Sequence, residues 1–233
     1  MSFYVVLTIQ LLYYLGIFSF FSWSRPKKKI PSNLSVSVIV CAKNEAQNLK
    51  ELIPILLQQN YTNFELVLIN DASTDNTLEI IKLFALKNNK IKIVDVIENE
   101  KFWGNKKYAL TLGIKAATHE HLLFTDADCK PVSKYWIAEM SRHFSNTKSI
   151  VIGYGAYKKT KRSFLNTLIR YETLLTAIQY FSYVKFGIPY MAVGRNLAYR
   201  KEEFFKVKGF MRHMNVRSGD DDLFVNQVAT SLN

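Results

Sequence analysis

Cysteine is scarce, two in 233 residues. Neither Cys41 nor Cys129 belongs to a CxxC pair or stands at a metal-ligand spacing, which excludes a disulfide framework and a thiolate metal site as the basis of the fold. Both read as reduced packing residues of a domain facing the cytosol. There is no internal repeat and no low-complexity tract. A P-loop and a GxGxxG fingerprint are also missing, which argues against ATP hydrolysis and dinucleotide chemistry. Acidic residues are absent before Glu45, although the chain carries 31 Lys and Arg against 19 Asp and Glu.

What is present suffices for a large core, with 48% hydrophobic residues and 14% aromatics. From Phe3 to Trp23 the chain is almost wholly apolar, broken only by Thr8, Gln10, Gly16, Ser19 and Ser22. A helix of that length can cross a hydrocarbon layer of about 30 Å. A signal peptide would carry its basic segment in front and a small-residue cleavage site behind. Here Arg25-Pro26-Lys27-Lys28-Lys29 follows instead, so the expectation is a retained anchor over 1–24 and a basic linker over 25–34. The positive-inside rule then places residues 35–233 in the cytoplasm, at the cell membrane. The net charge of +12 could serve nucleic acid. Attraction to an anionic leaflet explains it better beside an anchor, and no nucleic-acid partner is expected.

Along the chain, Ser35 to Cys41, Phe64 to Asn70, Ile91 to Ile97 and Leu122 to Phe124 read as strands. Helical patterns lie between them at Glu45 to Gln59, from the turn at Asp71–Thr77 to about Lys87, and at Asn105 to Ala117. Pro54 should kink or split the first of these, and Ser73, Thr74 or Asp75 can cap the second. Such alternation implies an α/β fold with a mostly parallel, Rossmann-like sheet covered on both faces. Further on come a strand at Ile150 to Tyr157, an aromatic helix at Ser163 to Lys185, a segment Val193 to Arg200 and a helix at Asp221 to Leu232 that runs to the chain end. Fold end and chain end therefore need not coincide.

Ligands of parallel sheets bind beyond the carboxyl ends of the strands. Topology alone therefore gathers Lys43-Asn44-Glu45, Asp71-Ala72-Ser73 and Asp126-Ala127-Asp128 along one rim. Two carboxylates at i and i+2 after a strand can share a hard cation, Mg2+ or Mn2+, that keeps some waters and carries a substrate diphosphate. A turn or capping role is the plainer alternative for either aspartate. Lys106 and Lys107 open a helix where the dipole disfavours cations, which points either to a nearby anionic ligand or to a solvated basic turn. In Ser218-Gly219-Asp220-Asp221-Asp222 the carboxylates exceed what capping requires, and crowding raises a carboxylate's affinity for a proton.

Taken together, six ordered motifs resemble the family 2 glycosyltransferases, inverting nucleotide-sugar enzymes of the GT-A fold. They are Val38 to Glu45, Leu68 to Thr77, Gly104 to Leu110, Thr125 to Asp128, Gly194 to Arg200 and Gly219 to Leu223. The resemblance implies a nucleotide-diphosphate sugar donor, a UDP-sugar first, and a glycan or lipid acceptor. It also implies that Lys43, Asn44, Glu45, Asp71 and Ser73 hold the nucleoside and that Lys106 lies near base or phosphate. Asp126, Ala127 and Asp128 would hold ribose and metal. An acid of the last motif would deprotonate the acceptor, Asp221 when Gly219 sets the register and Asp220 otherwise. Three departures stand out: Gly219-Asp220-Asp221-Asp222 stands where the family commonly has Glu-Asp, Asn70 replaces a common Asp, and the Gln-x-x-Arg-Trp motif of processive members is missing. A nucleotide-binding module without turnover, tethered by its anchor, is the alternative. The aromatic stretch Phe164 to Tyr190 reads either as core or as a membrane-interface surface.

Overall fold

The structure, a computed structural model, describes residues 2–19, 21, 33–97 and 106–233. Most of the basic linker, part of the expected anchor, and Gly104 and Asn105 lie outside these residues. Six strands form one sheet in the order β3-β2-β1-β4-β6-β5. The strands β1 (Val36–Ala42), β2 (Phe64–Asp71), β3 (Ile91–Val96) and β4 (His121–Phe124) run parallel. Antiparallel pairing joins β6 (Leu197–Arg200) to β4 and to β5 (Ile150–Ile152). The mostly parallel α/β sheet is therefore as expected, with an antiparallel edge that the alternation pattern did not show. The chain reaches the outer position first as β5, crosses the long helix α6 (Phe164–Phe186), and returns between β5 and β4 in the opposite sense.

Strand periodicity sorts side chains to two faces. Val36, Val38, Val40, Leu66, Leu68 and Leu123 pack beneath α2 (Ala46–Leu57), α3 (Thr77–Ala85) and α5 (Trp136–Ser141). Ile39, Val67, Ile69, Leu122 and Phe124 face α4 (Lys106–Ala116), the short helix α7 (Lys201–Lys206) and α8 (Asp222–Val228). At roughly 25 cal/mol per Å2 of apolar surface, these two layers supply the main driving force for folding. α4 lies unusually close to β2, since a Cβ on Gly113 would come within 2.2 Å of Ile69 Cδ1. An alanine there would force the Ile69 side chain to move.

Several expected elements are shorter or smoother in the structure. α2 is continuous through Pro54. The proline sits in the last turn, where only one helical hydrogen bond is lost, and Gln58 N still donates to Pro54 O at 3.0 Å. β5 stops at Ile152, because Gly153 N donates to Asn196 O (2.8 Å) and the chain turns away. α8 ends at Val228 rather than Leu232. Beyond it Ala229 is extended, and Ser149 N and Ile150 N donate to Asn233 O at 3.2 and 3.3 Å.

The anchor expected over 1–24 falls only partly on described residues. α1 (Ser2–Leu12) gives way to a π-helical stretch, Tyr13–Phe18, and among the described residues no helix is long and apolar enough to cross a membrane. The wider turn aligns Tyr13 with the protein body: Tyr183 Oη donates to Tyr13 Oη at 3.1 Å, and Phe21 stacks on Phe181 with centroids 5.5 Å apart. Glycine at position 16, a poor helix former, falls inside this stretch. The aromatic helix α6 (Phe164–Phe186) is capped by Ser163 Oγ, which accepts from Asn166 N, and ends at Gly187 with φ 89°. It is mostly surface rather than core. Ala177, Tyr180 and Ser182 are its buried residues, while Phe164, Leu165, Leu168, Tyr171 and Leu174 are exposed.

Candidate active site

Register decides what meets at the carboxyl edge of the sheet. Ile39 pairs with Phe124 across β1 and β4, and Thr125 N donates to Ile39 O at 3.3 Å, so Asp126 leaves the sheet beside Cys41. The N-terminus of α4 and the loop entering α8 arrive at the same place. Lys106 Nζ lies 2.9 Å from Asp126 Oδ1 and 3.1 Å from Asp220 Oδ2. Loss of solvent opposes the lysine's charge, but Asp220 and Asp126 outweigh it and raise its pKa above the ordinary lysine value. Lys106 is thus paired with carboxylates while its side chain stays 38% exposed. A small cleft of about 20 Å3 lies between Lys106, Asp126, Asp220, Asp221 and Gly194, over the rings of Phe124 and Tyr199. That is room for about one water, because the lysine bridges the two carboxylates.

Lys107, paired with Lys106 in sequence, does something different. It is fully buried, and its Nζ donates to the carbonyls of His213 (2.8 Å), Val216 (3.1 Å) and Ser218 (2.7 Å). Burial pulls its pKa below the usual lysine value, against the pull of Asp220, Asp222 and Asp221. This cation ties down the loop that delivers Asp220. No sequence signal separates its role from that of Lys106, because both are lysines at one helix start and only the helix rotation tells them apart.

The three consecutive aspartates do not crowd one point. Asp220 faces Lys106. Asp221 caps α8, its Oδ1 accepting from Asp222 N (2.8 Å) and its Oδ2 from Gly194 N (2.7 Å). Asp222 Oδ1 accepts from Leu223 N at 2.8 Å. Capping thus accounts for part of the cluster, while Asp220 and Asp221 both line the cleft. Gly194, which carries the donor to Asp221, was visible in sequence only as the start of the Gly-Arg-Asn run.

The residues after β1 and β2 form a second, laced part of the rim. Asn44, at φ 58°, accepts on Oδ1 from Thr74 N (2.8 Å), and its own N–H donates to Ser73 Oγ (3.0 Å). Glu45 N donates to Thr77 Oγ1 (2.8 Å), and Glu45 Oε2 accepts from Asn48 Nδ2 (2.6 Å). Asp75, among the three cap candidates, accepts from Thr77 N at 3.0 Å. Lys43 is exposed and Asp71 is buried at the end of β2. Lys43, Asn44, Glu45, Asp71 and Ser73 line the same edge but not the small cleft. Asn70 has its own explanation: its Nδ2 donates to Asp95 Oδ1 across β2 and β3 at 2.8 Å. An aspartate there would set a buried carboxylate against that of Asp95.

Ala127 is buried in the core and offers nothing to the cleft. Asp128 is exposed, and ligand atoms of Asp126, Asp128 and Cys129 lie within 4.8 Å of one another. Burial, with Asp128 adjacent, pushes the Cys129 thiol up to about 12, and the Asp126 and Asp128 carboxylates supply the hard oxygen donors of the group. That donor set fits a hard divalent cation. Cys41 is likewise pushed up to about 12 by burial, and both cysteines are packing residues here.

Residues 37–206 match the pattern of glycosyl transferase family 2. The chain belongs to glycosyl transferase family 2. Among sequence relatives, it is 37% identical over 93 residues to poly-beta-1,6-N-acetyl-D-glucosamine synthase of Staphylococcus epidermidis, covering 40% of this chain and 21% of that one. Glycosyltransferase GlyG of Streptococcus pneumoniae is 33% identical over 93 residues, covering 40% of this chain and 30% of GlyG. The chain thus spans less than a third of the length of these two family members. Among solved structures, the mannosyltransferase PcManGT of Pyrobaculum calidifontis, in complex with GDP-Man and Mn2+, superposes with TM-score 0.73 at 23% identity, over 94% of this chain and 59% of that one. TarS of S. aureus in complex with UDP-GlcNAc gives 0.54 at 20% identity, over 84% and 53%. These likenesses show that the family 2 chain has the fold of these enzymes, consistent with GT-A.

Proposed function

We propose that this chain is an inverting glycosyltransferase. In this reading it moves a sugar from a nucleotide-diphosphate sugar, a UDP-sugar first, to a hydroxyl of a glycan or lipid-linked acceptor in envelope polysaccharide or glycolipid synthesis. The observation that carries the proposal is the Lys106 bridge, which holds Asp126 and Asp220 on the sheet edge beside Asp221. Glycan synthesis by the S. epidermidis synthase and nucleotide-sugar binding by TarS and PcManGT support the same reading.

In this reading the loops after β1 and β2, with Lys43, Asn44, Glu45, Asp71 and Ser73, hold the nucleoside. Lys106 shifts its contacts from the carboxylates to the donor diphosphate, which opens the cleft. Asp126 and Asp128 hold Mg2+ or Mn2+, which supplies positive charge to the leaving nucleoside diphosphate. Asp221, aimed by the amides of Gly194 and Asp222, takes the proton of the acceptor hydroxyl. The acceptor oxygen bonds to the anomeric carbon as the bond to the diphosphate oxygen breaks, inverting that centre. Asp220 is the competing base.

We place the work at the cytoplasmic membrane face, with residues 35–233 as the transferase unit and 1–24 as the segment directed to the membrane. The exposed apolar residues of α1 and α6, flanked by exposed Lys158, Lys159, Lys161 and Arg162, support this. The test is nucleoside diphosphate release from UDP-GlcNAc, UDP-glucose and GDP-mannose with membranes and Mn2+ present. Release that stops with EDTA and with Asp128→Ala is expected. Release that survives both overturns the metal role, and no release from any donor overturns the activity.

A further inference from the structure

A second cavity, of about 190 Å3, lies behind the first and is lined by Gly155, Tyr157, Glu172, Thr176, Tyr180 and Arg195. One residue separates the two. Gly194 lines the small cleft and donates its amide to Asp221 Oδ2 at 2.7 Å, whereas its neighbours Val193 and Arg195 line the second cavity. A Cβ on Gly194 would lie 3.4 Å from Asp221 Oδ2, so the absence of a side chain there leaves the carboxylate uncovered on that side.

The cavity is a built one. Arg195 lies flat across Gly155: its Nε donates to Gly155 O at 2.9 Å, and a Cβ on that glycine would come within 2.3 Å of the same nitrogen. The guanidinium also lies over the Tyr157 ring, 5.1 Å from its centroid. Tyr180 Oη donates to Gly153 O at 3.0 Å, which holds the back wall. The lining is therefore the Arg195 cation, a carboxylate acceptor at Glu172, threonine hydroxyls and two aromatic rings. That mixture matches the alternating hydroxyl and C–H faces of a pyranose. Pockets for drug-sized ligands run to about 300–1,000 Å3, and this one is smaller, sized for a single ring.

Resting on the transferase reading above, we infer that this cavity is the acceptor subsite. It takes the terminal pyranose of a glycan and presents a hydroxyl to Asp221 past Gly194. Arg195 donates to ring hydroxyls or substituents, Glu172 accepts from them, and Tyr157 covers the apolar face. Specificity for the acceptor then resides in α6 and the Gly194–Arg195 step, apart from the residues that hold the nucleotide.

The experiment uses the full chain, with cellobiose, chitobiose and mannobiose as saccharide probes in saturation-transfer difference NMR, and with UDP and GDP plus Mn2+ in calorimetry. At least one disaccharide is expected to bind the wild type. Loss of a charged hydrogen bond in Arg195→Ala should weaken it by roughly tenfold to a hundredfold, with nucleotide affinity unchanged within about twofold. Glu172→Gln, at an exposed position on α6, should weaken it without unfolding risk. The inference is overturned if no disaccharide binds, if both variants bind it normally, or if Arg195→Ala weakens nucleotide equally, which would place Arg195 with the diphosphate. Failure of the wild type to bind either nucleotide while a disaccharide still binds would instead sink the transferase reading.

Discussion

Lys106 Nζ and Asp220 Oδ2 stand 3.1 Å apart, joining the start of α4 to the loop that enters α8. The contact links the two halves of the chain at the point where Asp126 also arrives. The Lys106 side chain is 38% exposed and that of Asp220 17%, so solvent screens the pair in part and its value to stability is small, on the order of 1 kcal/mol. Its value to the site is larger, since it sets the spacing of three side chains.

Replacing Lys106 by Met should therefore hardly move the thermal midpoint. It should weaken UDP or GDP binding by at least about tenfold, through loss of a charged donor to phosphate. Lys106→Arg should retain part of the affinity. Calorimetry beside thermal melting reads both quantities, and unchanged nucleotide affinity would remove Lys106 from the site.

Lys107→Met should behave in the opposite way. It leaves the carbonyls of His213, Val216 and Ser218 without this donor, at a cost of at least about 2 kcal/mol. The urea midpoint should fall measurably, and turnover should fall with it as the loop carrying Asp220 loosens. A stable, fully active Lys107→Met protein would show that the buried cation is dispensable.

The two candidate bases separate by their partners. Asp221→Asn keeps an acceptor oxygen for one amide but cannot take a proton, so kcat should drop by at least about a hundredfold, as for loss of a general base. Asp220→Asn loosens Lys106 and should act mainly on donor KM. The reverse pattern would make Asp220 the base.

Glu65 supplies a pH prediction. Burial opposes its charge, but hydrogen bonds from Ser37 Oγ, Thr118 N and Thr118 Oγ1, and Lys92 at 3.5 Å, together hold its pKa below the ordinary glutamate value. A depressed carboxylate stabilises fully above its unfolded pKa of about 4.3 and loses that contribution as pH falls through the folded value. Glu65→Gln should cost about 1–3 kcal/mol at pH 7 and proportionally less below pH 4. Urea titrations of both proteins across pH 3–7 test this, and a pH-independent difference would refute it.

The sheet was legible because buried strands advertise themselves locally. The runs Val36–Ala42 and Phe64–Asp71 are short, rich in strand-forming residues and bounded by turn residues, which favours strands over buried helix. The antiparallel return of β6 was not legible, since a strand of four residues carries no mark of its direction. Nor was the π-helical stretch at Tyr13, whose hydroxyl meets that of Tyr183, far away in sequence.

The same division holds at the site. Sequence alone determined that carboxylates and lysines would stand at the carboxyl ends of parallel strands, because strand and helix periods follow from neighbouring residues. Tertiary structure decided which of them meet. Lys106 faces Asp126 and Asp220 while Lys107 turns into the core, and Gly194 rather than a charged residue adjoins Asp221. Those pairings depend on helix rotation and strand register set by packing across the whole chain, and distant contacts of that kind leave no pattern in a local window of residues.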